Sequence, residues 1–307
     1  MTSTPPPTPH PAHHDHDHDH GRHDHDGDHD HDHDHRHRAG DQAELLDLDA
    51  EVLAGHLDAI TGWLPVETPP RRIVDLGCGT GAGTFALLDR FPGAHVTAVD
   101  SSAAHLRRLR EKAEARGAAE RVRTLRADLD DPDWPGLGTP DLVWASASLH
   151  HLADPGRALR AVHDVLAPGG LCAVVELAGF PRFLPENAPE DRPGLEERCH
   201  RAGEHRHAGH LPHRGADWGP KLTAAGFTLA GERTLTVHIE GARDASVGAY
   251  ALGGLRRLRD GVAGTLAPED LAALDRLLDT DGPHSILRRD DLAVRTRRSV
   301  WAARRDR

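Results

Sequence analysis

The strongest constraint on the fold is the stretch 74–84, where a short apolar run ends in an acid and then breaks into glycines at alternate positions. The apolar run is rich in β-branched residues, as expected of a strand buried on both faces, and the residues after the glycines regain helical character. Gly77, Gly79 and Gly81 lack the Cβ atoms that would keep a ligand away from the backbone. The stretch therefore predicts a strand, a tight loop and a helix whose N-terminus suits a nucleotide-like or negatively charged ligand group.

Strand and helix patterns alternate from residue 71 to residue 176. Apolar runs predict further strands over residues 95–100, 122–127, 141–147 and 171–176. Acidic or small polar residues stand at the ends of these strands, namely Asp100, Asp128, Ser146 and Glu176. Repeats of this length indicate a doubly wound α/β domain whose parallel sheet is covered on both faces. Because ligands of such sheets bind at the carboxyl ends of the strands, we expect the site at that edge.

A His/Asp-rich segment, residues 1–40, precedes the domain and holds 13 of the 26 histidines. Nothing in this segment can bury a core, so we expect a disordered tail. Imidazole and carboxylate groups at this density either hold a divalent metal weakly or form a solvated, pH-responsive tail without a specific role. The candidate weak metal sites are His14, His16, His18 and His20.

A helical cap at 41–70 precedes the main domain of residues 71–307. Within that domain we expect a lid at about 180–220, a strand pair or one long strand at 227–239, a helical insertion at about 245–282 and a last strand at 294–302.

Charge and composition disfavour several partners. The formal net charge is -12, and half of it comes from the tail, where nine Asp outweigh three Arg. A general nucleic-acid binder needs a basic face, so nucleic acid is not an expected partner. No run of 18 apolar residues and no basic-then-apolar leader occur, so we expect a cytoplasmic protein without a membrane partner. The three cysteines have no C-x-x-C spacing and indicate neither a disulfide framework nor a zinc ribbon.

The glycine loop fits two cofactor chemistries. The G-x-G-x-x-A pattern at residues 77–82, with Asp100 about 20 residues further on, satisfies the loose dinucleotide fingerprint of an NAD-dependent oxidoreductase. Asp75, Asp100 and Asp128 at strand ends suit a cationic ligand better than a pyrophosphate, which they would repel. A third alternative is a non-enzymatic metal-handling protein in which the tail is the functional part.

Residues 74–81, Val-Asp-Leu-Gly-Cys-Gly-Thr-Gly, resemble the first motif of the class I S-adenosylmethionine-dependent methyltransferases. The resemblance covers most of residues 71–180, and the family's later landmarks follow in order. It implies a Rossmann-like sheet of seven strands with an antiparallel last strand, and S-adenosyl-L-methionine as the cofactor. It also implies direct displacement of the methyl group onto an oxygen, nitrogen or carbon of a small-molecule acceptor.

The resemblance assigns cofactor contacts to the glycine loop and the strand ends. Asp75 and the loop would hold the methionine portion, Asp100 the ribose hydroxyls, and Asp128 with Leu129 the adenine. In full, the implied cofactor contacts are Asp75, Gly77, Cys78, Gly79, Thr80, Gly81, Asp100, Ser101, Asp128, Leu129 and Ser146.

Candidate catalytic residues follow the fourth strand. His150 or His151 would border the methyl group and could act as a general base for a hydroxyl acceptor, or one of the two packs as a structural residue under the next helix. Glu176, Trp218 and Tyr250 are candidate substrate contacts, although core packing is the simpler interpretation of Tyr250. The His-rich segment 199–213 matches no closed zinc pattern, so we predict a lid there and no metal site in the folded part.

Overall fold

The computed structural model describes the backbone of residues 1–2, 28–210, 213–241 and 244–307, together with the side chains of these residues except 28–39 and 205–210. The chain divides into two units, residues 1–37 and 38–307, and the sheet belongs to the second. The candidate metal sites at His14, His16, His18 and His20 lie outside the described residues. Helical backbone begins at Asp28, within the segment for which the sequence predicts the tail.

The helices and strands follow the predicted alternation. The helices are α1 (Asp28–Val52), α2 (Ala54–Trp63), α3 (Ala82–Arg90), α4 (Ala103–Ala115), α5 (Pro155–Val165), α6 (Leu195–His210), α7 (Gly219–Ala224), α8 (Ala245–Val262) and α9 (Pro268–Leu278). The strands are β1 (Arg72–Leu76), β2 (His95–Asp100), β3 (Val122–Arg126), β4 (Leu142–Ser146), β5 (Leu171–Leu177), β6 (Thr228–Glu240) and β7 (Ala293–Arg304).

The sheet has the strand order β3-β2-β1-β4-β5-β7-β6. Strands β1 to β5 run parallel, and β7 is antiparallel to both of its neighbours. The predicted doubly wound sheet of seven strands with an antiparallel last strand is therefore confirmed, and residues 228–240 form one long strand rather than a pair. The strand order reverses between β1 and β4, which opens a crevice at their carboxyl ends.

Local sequence signals explain where two of the helices begin. The hydroxyl of Ser102 accepts a hydrogen bond from the backbone N–H of His105 at the start of α4. The carboxylate of Asp154 accepts one from the N–H of Arg157, and Pro155 occupies the first turn of α5. Such caps pair amide groups that have no partner within the helix, and proline costs nothing at a position whose N–H would be unpaired.

Helices cover both faces of the sheet. Leu87 of α3 and Leu109 of α4 pack on one face, and Leu159 of α5 and Leu222 of α7 pack on the other. Full burial of each such side chain contributes about 2 kcal/mol to stability. None of the described helices is long and apolar enough to cross a membrane.

A third apolar cluster lies beyond the sheet. Strands β6 and β7 pair along their whole length, whereas β5 pairs only with residues 298–304 of β7. The rest of the β6/β7 pair therefore extends past the carboxyl end of β5. Leu195 of α6, Leu255 of α8 and Leu274 of α9 pack in the cluster that includes Val294 of this extension. The predicted lid and helical insertion thus surround the carboxyl edge of the sheet.

Candidate active site

The glycine loop after β1 is held in a fixed shape by backbone hydrogen bonds. The N–H groups of Gly77 and Cys78 donate to the carbonyl oxygen of Val99 at 2.8 and 3.0 Å. Gly77, Gly79 and Gly81 have φ angles of 68°, 53° and 97°, in the left-handed region that favours glycine. A Cβ atom on Gly77 would lie 2.3 Å from the Cβ of Ser148, so the loop also packs closely on the segment after β4.

Asp100, at the end of β2, faces this loop. Its carboxylate accepts hydrogen bonds from the N–H of Gly79 at 2.9 Å and of Ser102 at 2.8 Å, and His105 Nδ1 lies 3.3 Å away. Burial disfavours the ionised form of Asp100 and would raise its pKa. Hydrogen bonds from the side chain of His105 and from these two amides outweigh the effect of burial, so the pKa of Asp100 is lowered. An ionised carboxylate therefore faces the glycine loop at neutral pH.

Asp75 lies beneath the same loop and is 2% exposed. Its carboxyl accepts a hydrogen bond from the Thr84 hydroxyl at 2.7 Å. Burial raises the pKa of Asp75 to about 7, against the effect of the Thr84 hydrogen bond, and the charge of Asp100 adds to the rise. The burial of Cys78 with these two acids nearby raises the pKa of its thiol well above the usual range, so the thiol is unreactive.

The segment after β4 brings a histidine and a glutamate together. Nδ1 of His150 lies 2.6 Å from Oε2 of Glu176 at the end of β5, and both side chains are 3% exposed. Oε1 of the same carboxylate accepts hydrogen bonds from the N–H groups of Leu149 and His150 at 3.1 and 3.3 Å. The two His rings of this turn lie with their centroids 4.1 Å apart. The structure thus joins His150, His151 and Glu176, which the sequence predicts only one by one.

A cavity of about 210 Å³ opens beside these histidines, and we call it the acceptor cavity. The described residues that line it come from α1, the segment after β4, the end of β5, the lid, α8 and β7. They are Gln42, Leu45, Leu46, Asp49, Ala147, His150, His151, Leu177, Phe180, Pro181, Phe183, His200, Arg214, Tyr250, Gly254, Leu255, Arg257, Leu258 and Arg298.

A half-buried carboxylate, that of Asp49, lies on the side of the cavity formed by α1. Asp49 accepts two hydrogen bonds from Nη2 of Arg298, at 2.8 and 2.9 Å, and one from the Tyr250 hydroxyl. Tyr250 therefore lines the cavity with its hydroxyl already engaged. Burial, together with the charge of Asp49 and the hydrogen bond to it, raises the pKa of this hydroxyl, so it remains protonated at neutral pH.

The other predicted site residues lie in several places. Asp128 is exposed and its carboxylate caps the N–H of Asp130, while the neighbouring Leu129 is buried. Trp218 is fully buried in the core on the α5 and α7 face of the sheet. The remaining cofactor candidates Thr80, Ser101 and Ser146 follow or end strands β1, β2 and β4. Among the described residues, no group of three or more His, Cys, Asp or Glu could hold a metal ion.

Sequence reasoning missed the contribution of α1 and of its basic partners on α4. Leu46 of α1 lies 3.3 Å from the position that a Cβ atom on Gly79 would take, so it covers the loop and also lines the cavity. Asp47 forms ion pairs with Arg108 and Lys112 of α4 beside the loop. No short motif marks these contacts, because the partners are more than 30 residues apart in the sequence.

Comparison with known proteins agrees with the fold. A methyltransferase domain family matches residues 74–172. The chain is 34% identical over 214 residues to a malonyl-[acyl-carrier protein] O-methyltransferase of Halorhodospira halophila, covering 69% of this chain and 67% of that protein. It is 41% identical over 105 residues to a trans-aconitate 2-methyltransferase of an Acidovorax species, covering 34% of this chain and 38% of that protein.

A solved structure shows the same fold at low sequence identity. The crystal structure of a proposed methyltransferase from Bacillus halodurans C-125 superposes with a TM-score of 0.52 at 17% identity, covering 82% of this chain and 99% of the other. Sheet topology, glycine loop and sequence similarity together define the class. The chain belongs to the class I S-adenosylmethionine-dependent methyltransferases.

Proposed function

We propose that this protein binds S-adenosyl-L-methionine on the glycine loop and transfers its methyl group to a small molecule in the acceptor cavity. The observation that carries the proposal is the wall that the two sites share. Leu46 contacts the loop at Gly79 and lines the acceptor cavity, and Ser148 packs against Gly77 just before His150. A cofactor on the loop would therefore face a bound acceptor, and positioning supplies most of the rate in such a displacement.

The residues of the loop fit this cofactor. Gly77, Gly79 and Gly81 carry no side chains, so a ligand can approach the backbone of the loop at these positions. The ionised carboxylate of Asp100 is suited to accept hydrogen bonds from ribose hydroxyls, while a pyrophosphate would be repelled by it. When bound, S-adenosyl-L-methionine supplies a methyl group on a positively charged sulfur atom.

His150 is the residue best placed to take a proton from an acceptor. Because its Nδ1 faces the Glu176 carboxylate, we assign the ring proton to Nδ1, which leaves Nε2 as a proton acceptor. Glu176 is held in turn by two backbone N–H groups, so it fixes the orientation of the ring. This pair supports methylation of a group that must lose its proton.

Calorimetric titration of the full chain with S-adenosylhomocysteine and with NAD tests the cofactor. We expect S-adenosylhomocysteine to bind and NAD not to bind. The Asp100→Asn variant should bind S-adenosylhomocysteine about tenfold or more weakly, since a hydrogen bond to a charged group contributes about 1.5–3 kcal/mol. Asp58→Asn, which removes an exposed acid of α2, is the matched control. Tight binding of NAD alone would exclude the proposal.

A screen of small-molecule acceptors with methyl-labelled cofactor then tests the reaction. For an acceptor found in this way, His150→Gln should lower the rate by about 10²–10⁴, the usual contribution of general base catalysis, without weakening S-adenosylhomocysteine binding. His95→Gln, at an exposed position where β2 begins, should leave the rate unchanged. An unchanged rate in His150→Gln would show that His150 is a structural residue.

A further inference from the structure

The charges that line the acceptor cavity are unequal. Its described lining residues include one carboxylate, that of Asp49, and three arginines, Arg214, Arg257 and Arg298. Asp49 is already paired with Arg298 through two hydrogen bonds. Within the described part of the chain, Arg214 and Arg257 form no ion pair with a carboxylate at salt-bridge distance. Among the described residues that line the cavity, positive charges therefore outnumber negative ones.

Arg214 is held in place, although it has no carboxylate partner. Its guanidinium lies over the ring of Phe180, 3.7 Å from the centroid, and its Nε atom is buried without a hydrogen bond. Burial and the nearby charge of Arg257 lower the pKa of Arg214 to about 10, while Glu176 acts in the opposite direction. Arg214 is thus still charged at neutral pH, and an anion in the cavity would pair with a charge that is partly shielded from water.

Arg214 and Arg257 act on the same part of the cavity. Burial lowers the pKa of His151 to about 4, and the charges of Arg257 and Arg214 contribute to the shift. His151 is therefore neutral at pH 7 and adds no charge of its own. His151, Arg214 and Arg257 all line the acceptor cavity, so both positive charges border the same space as the histidines.

The rest of the cavity is mostly apolar. Its described apolar lining includes Leu45, Leu46, Leu177, Phe183, Leu255 and Leu258. A fully charged or sugar-like molecule would leave these side chains without apolar contacts, whereas an apolar body would bury them favourably. The cavity thus combines an apolar side with one charged wall.

We infer that the acceptor is an organic anion, an apolar body bearing a carboxylate or phosphate group that Arg214 and Arg257 bind beside His151. Arginine presents a planar set of donors that fits both groups with two parallel hydrogen bonds. The inference rests on the proposed methyltransferase function, because it names the class of molecule that the acceptor cavity would hold. It needs no residue of the glycine loop.

Small probes of matched shape can test this inference on the full chain. We would measure by ligand-observed NMR the binding of phenylacetate, phenyl phosphate and the neutral phenylacetamide, each with and without S-adenosylhomocysteine. We expect at least one of the anions to bind and phenylacetamide to bind much more weakly. Binding of phenylacetate alone or of phenyl phosphate alone would identify the preferred anionic group.

Variants tie the binding to the two arginines. Arg214→Gln and Arg257→Gln should each weaken anion binding about tenfold or more, the loss expected for a charge-assisted hydrogen bond. Arg256→Gln is the matched control, since it removes an exposed arginine next to Arg257 on α8 that does not line the cavity. Thermal unfolding of each variant checks that it folds. Because Arg257 is exposed, Arg257→Gln should fold even if Arg214→Gln does not, and it then tests the inference by itself.

Three results would overturn the inference. They are binding of phenylacetamide as tight as that of the anions, no anion binding up to about 10 mM, and unchanged anion affinity in both arginine variants. The titration with S-adenosylhomocysteine separates these failures from failure of the proposed function. If S-adenosylhomocysteine binds and the anions do not, the inference fails alone, and if the anions bind through Arg214 and S-adenosylhomocysteine does not, the proposed function fails.

Discussion

Asp75→Asn is the substitution that most directly tests the electrostatics beneath the glycine loop. The carboxyl of Asp75 is buried, with a hydrogen bond from Thr84 and the charge of Asp100 nearby. Burial raises its pKa from 3.8 to about 7. The unfolded chain therefore ionises this group at a much lower pH than the folded protein does.

This difference makes stability fall as the pH rises. Because the folded protein holds the proton of Asp75 more tightly than the unfolded chain, the free energy of unfolding decreases between pH 4 and pH 7, by up to about 1.4 kcal/mol per pH unit. From pH 5 to pH 8 the loss amounts to about 3 kcal/mol. The Asp75→Asn variant has no carboxyl to ionise and retains an oxygen for the hydrogen bond from Thr84, so it should lack this loss.

Urea unfolding of the full chain at pH 5, 6, 7 and 8 measures the effect. The free energy of unfolding of Asp75→Asn, relative to the wild type, should grow by about 3 kcal/mol across this range. Asp58→Asn controls for the removal of one acid, and its difference from the wild type should stay nearly constant, since exposed carboxylates contribute little to stability. A constant difference for Asp75→Asn as well would refute the raised pKa.

Two further substitutions test the packing of the loop and of the lid. Gly77→Ala should lower the free energy of unfolding by about 3 kcal/mol, because the new Cβ atom would lie 2.3 Å from the Cβ of Ser148 and φ is positive. Gly117→Ala, also at a positive φ but with no heavy atom within 4 Å, should cost only about 1 kcal/mol, and thermal unfolding compares the two. Asp270→Asn should destabilise the protein by about 1–3 kcal/mol at pH 7, because Asp270 binds Arg198 of the lid at 2.8 and 2.9 Å. The hydrogen bond and charge of Arg198 lower the pKa of Asp270 against the effect of burial, so this contribution should disappear as the pH falls below 3.8, and equal stability at pH 7 would contradict it.

The sheet and the glycine loop could be predicted from the sequence because their determinants are local. The parallel strands at the centre of the sheet are apolar runs of a few residues, and α4 and α5 begin at caps, Ser102 and Asp154, that each bind an amide three residues away. Asp100 is also positioned by nearby residues. Ser102 and His105 follow it closely in the sequence, and Gly79 follows β1, the strand next to β2. These contacts depend on the order of elements, which alternating strand and helix patterns specify.

The acceptor cavity could not be predicted, because its charge depends on which remote residues meet. Asp49 neutralises Arg298 across 249 positions of the sequence, and no spacing rule relates a residue of α1 to one of β7. The composition indicates an acidic chain of net charge -12, yet Arg214 and Arg257 both line the cavity without a salt bridge to a described carboxylate. If α1 paired Asp49 with Arg214 instead, the same residues would line a cavity with a different free cation. In the proposed function, the class of acceptor thus depends on the placement of one helix, whereas the glycine loop bears only on the methyl donor.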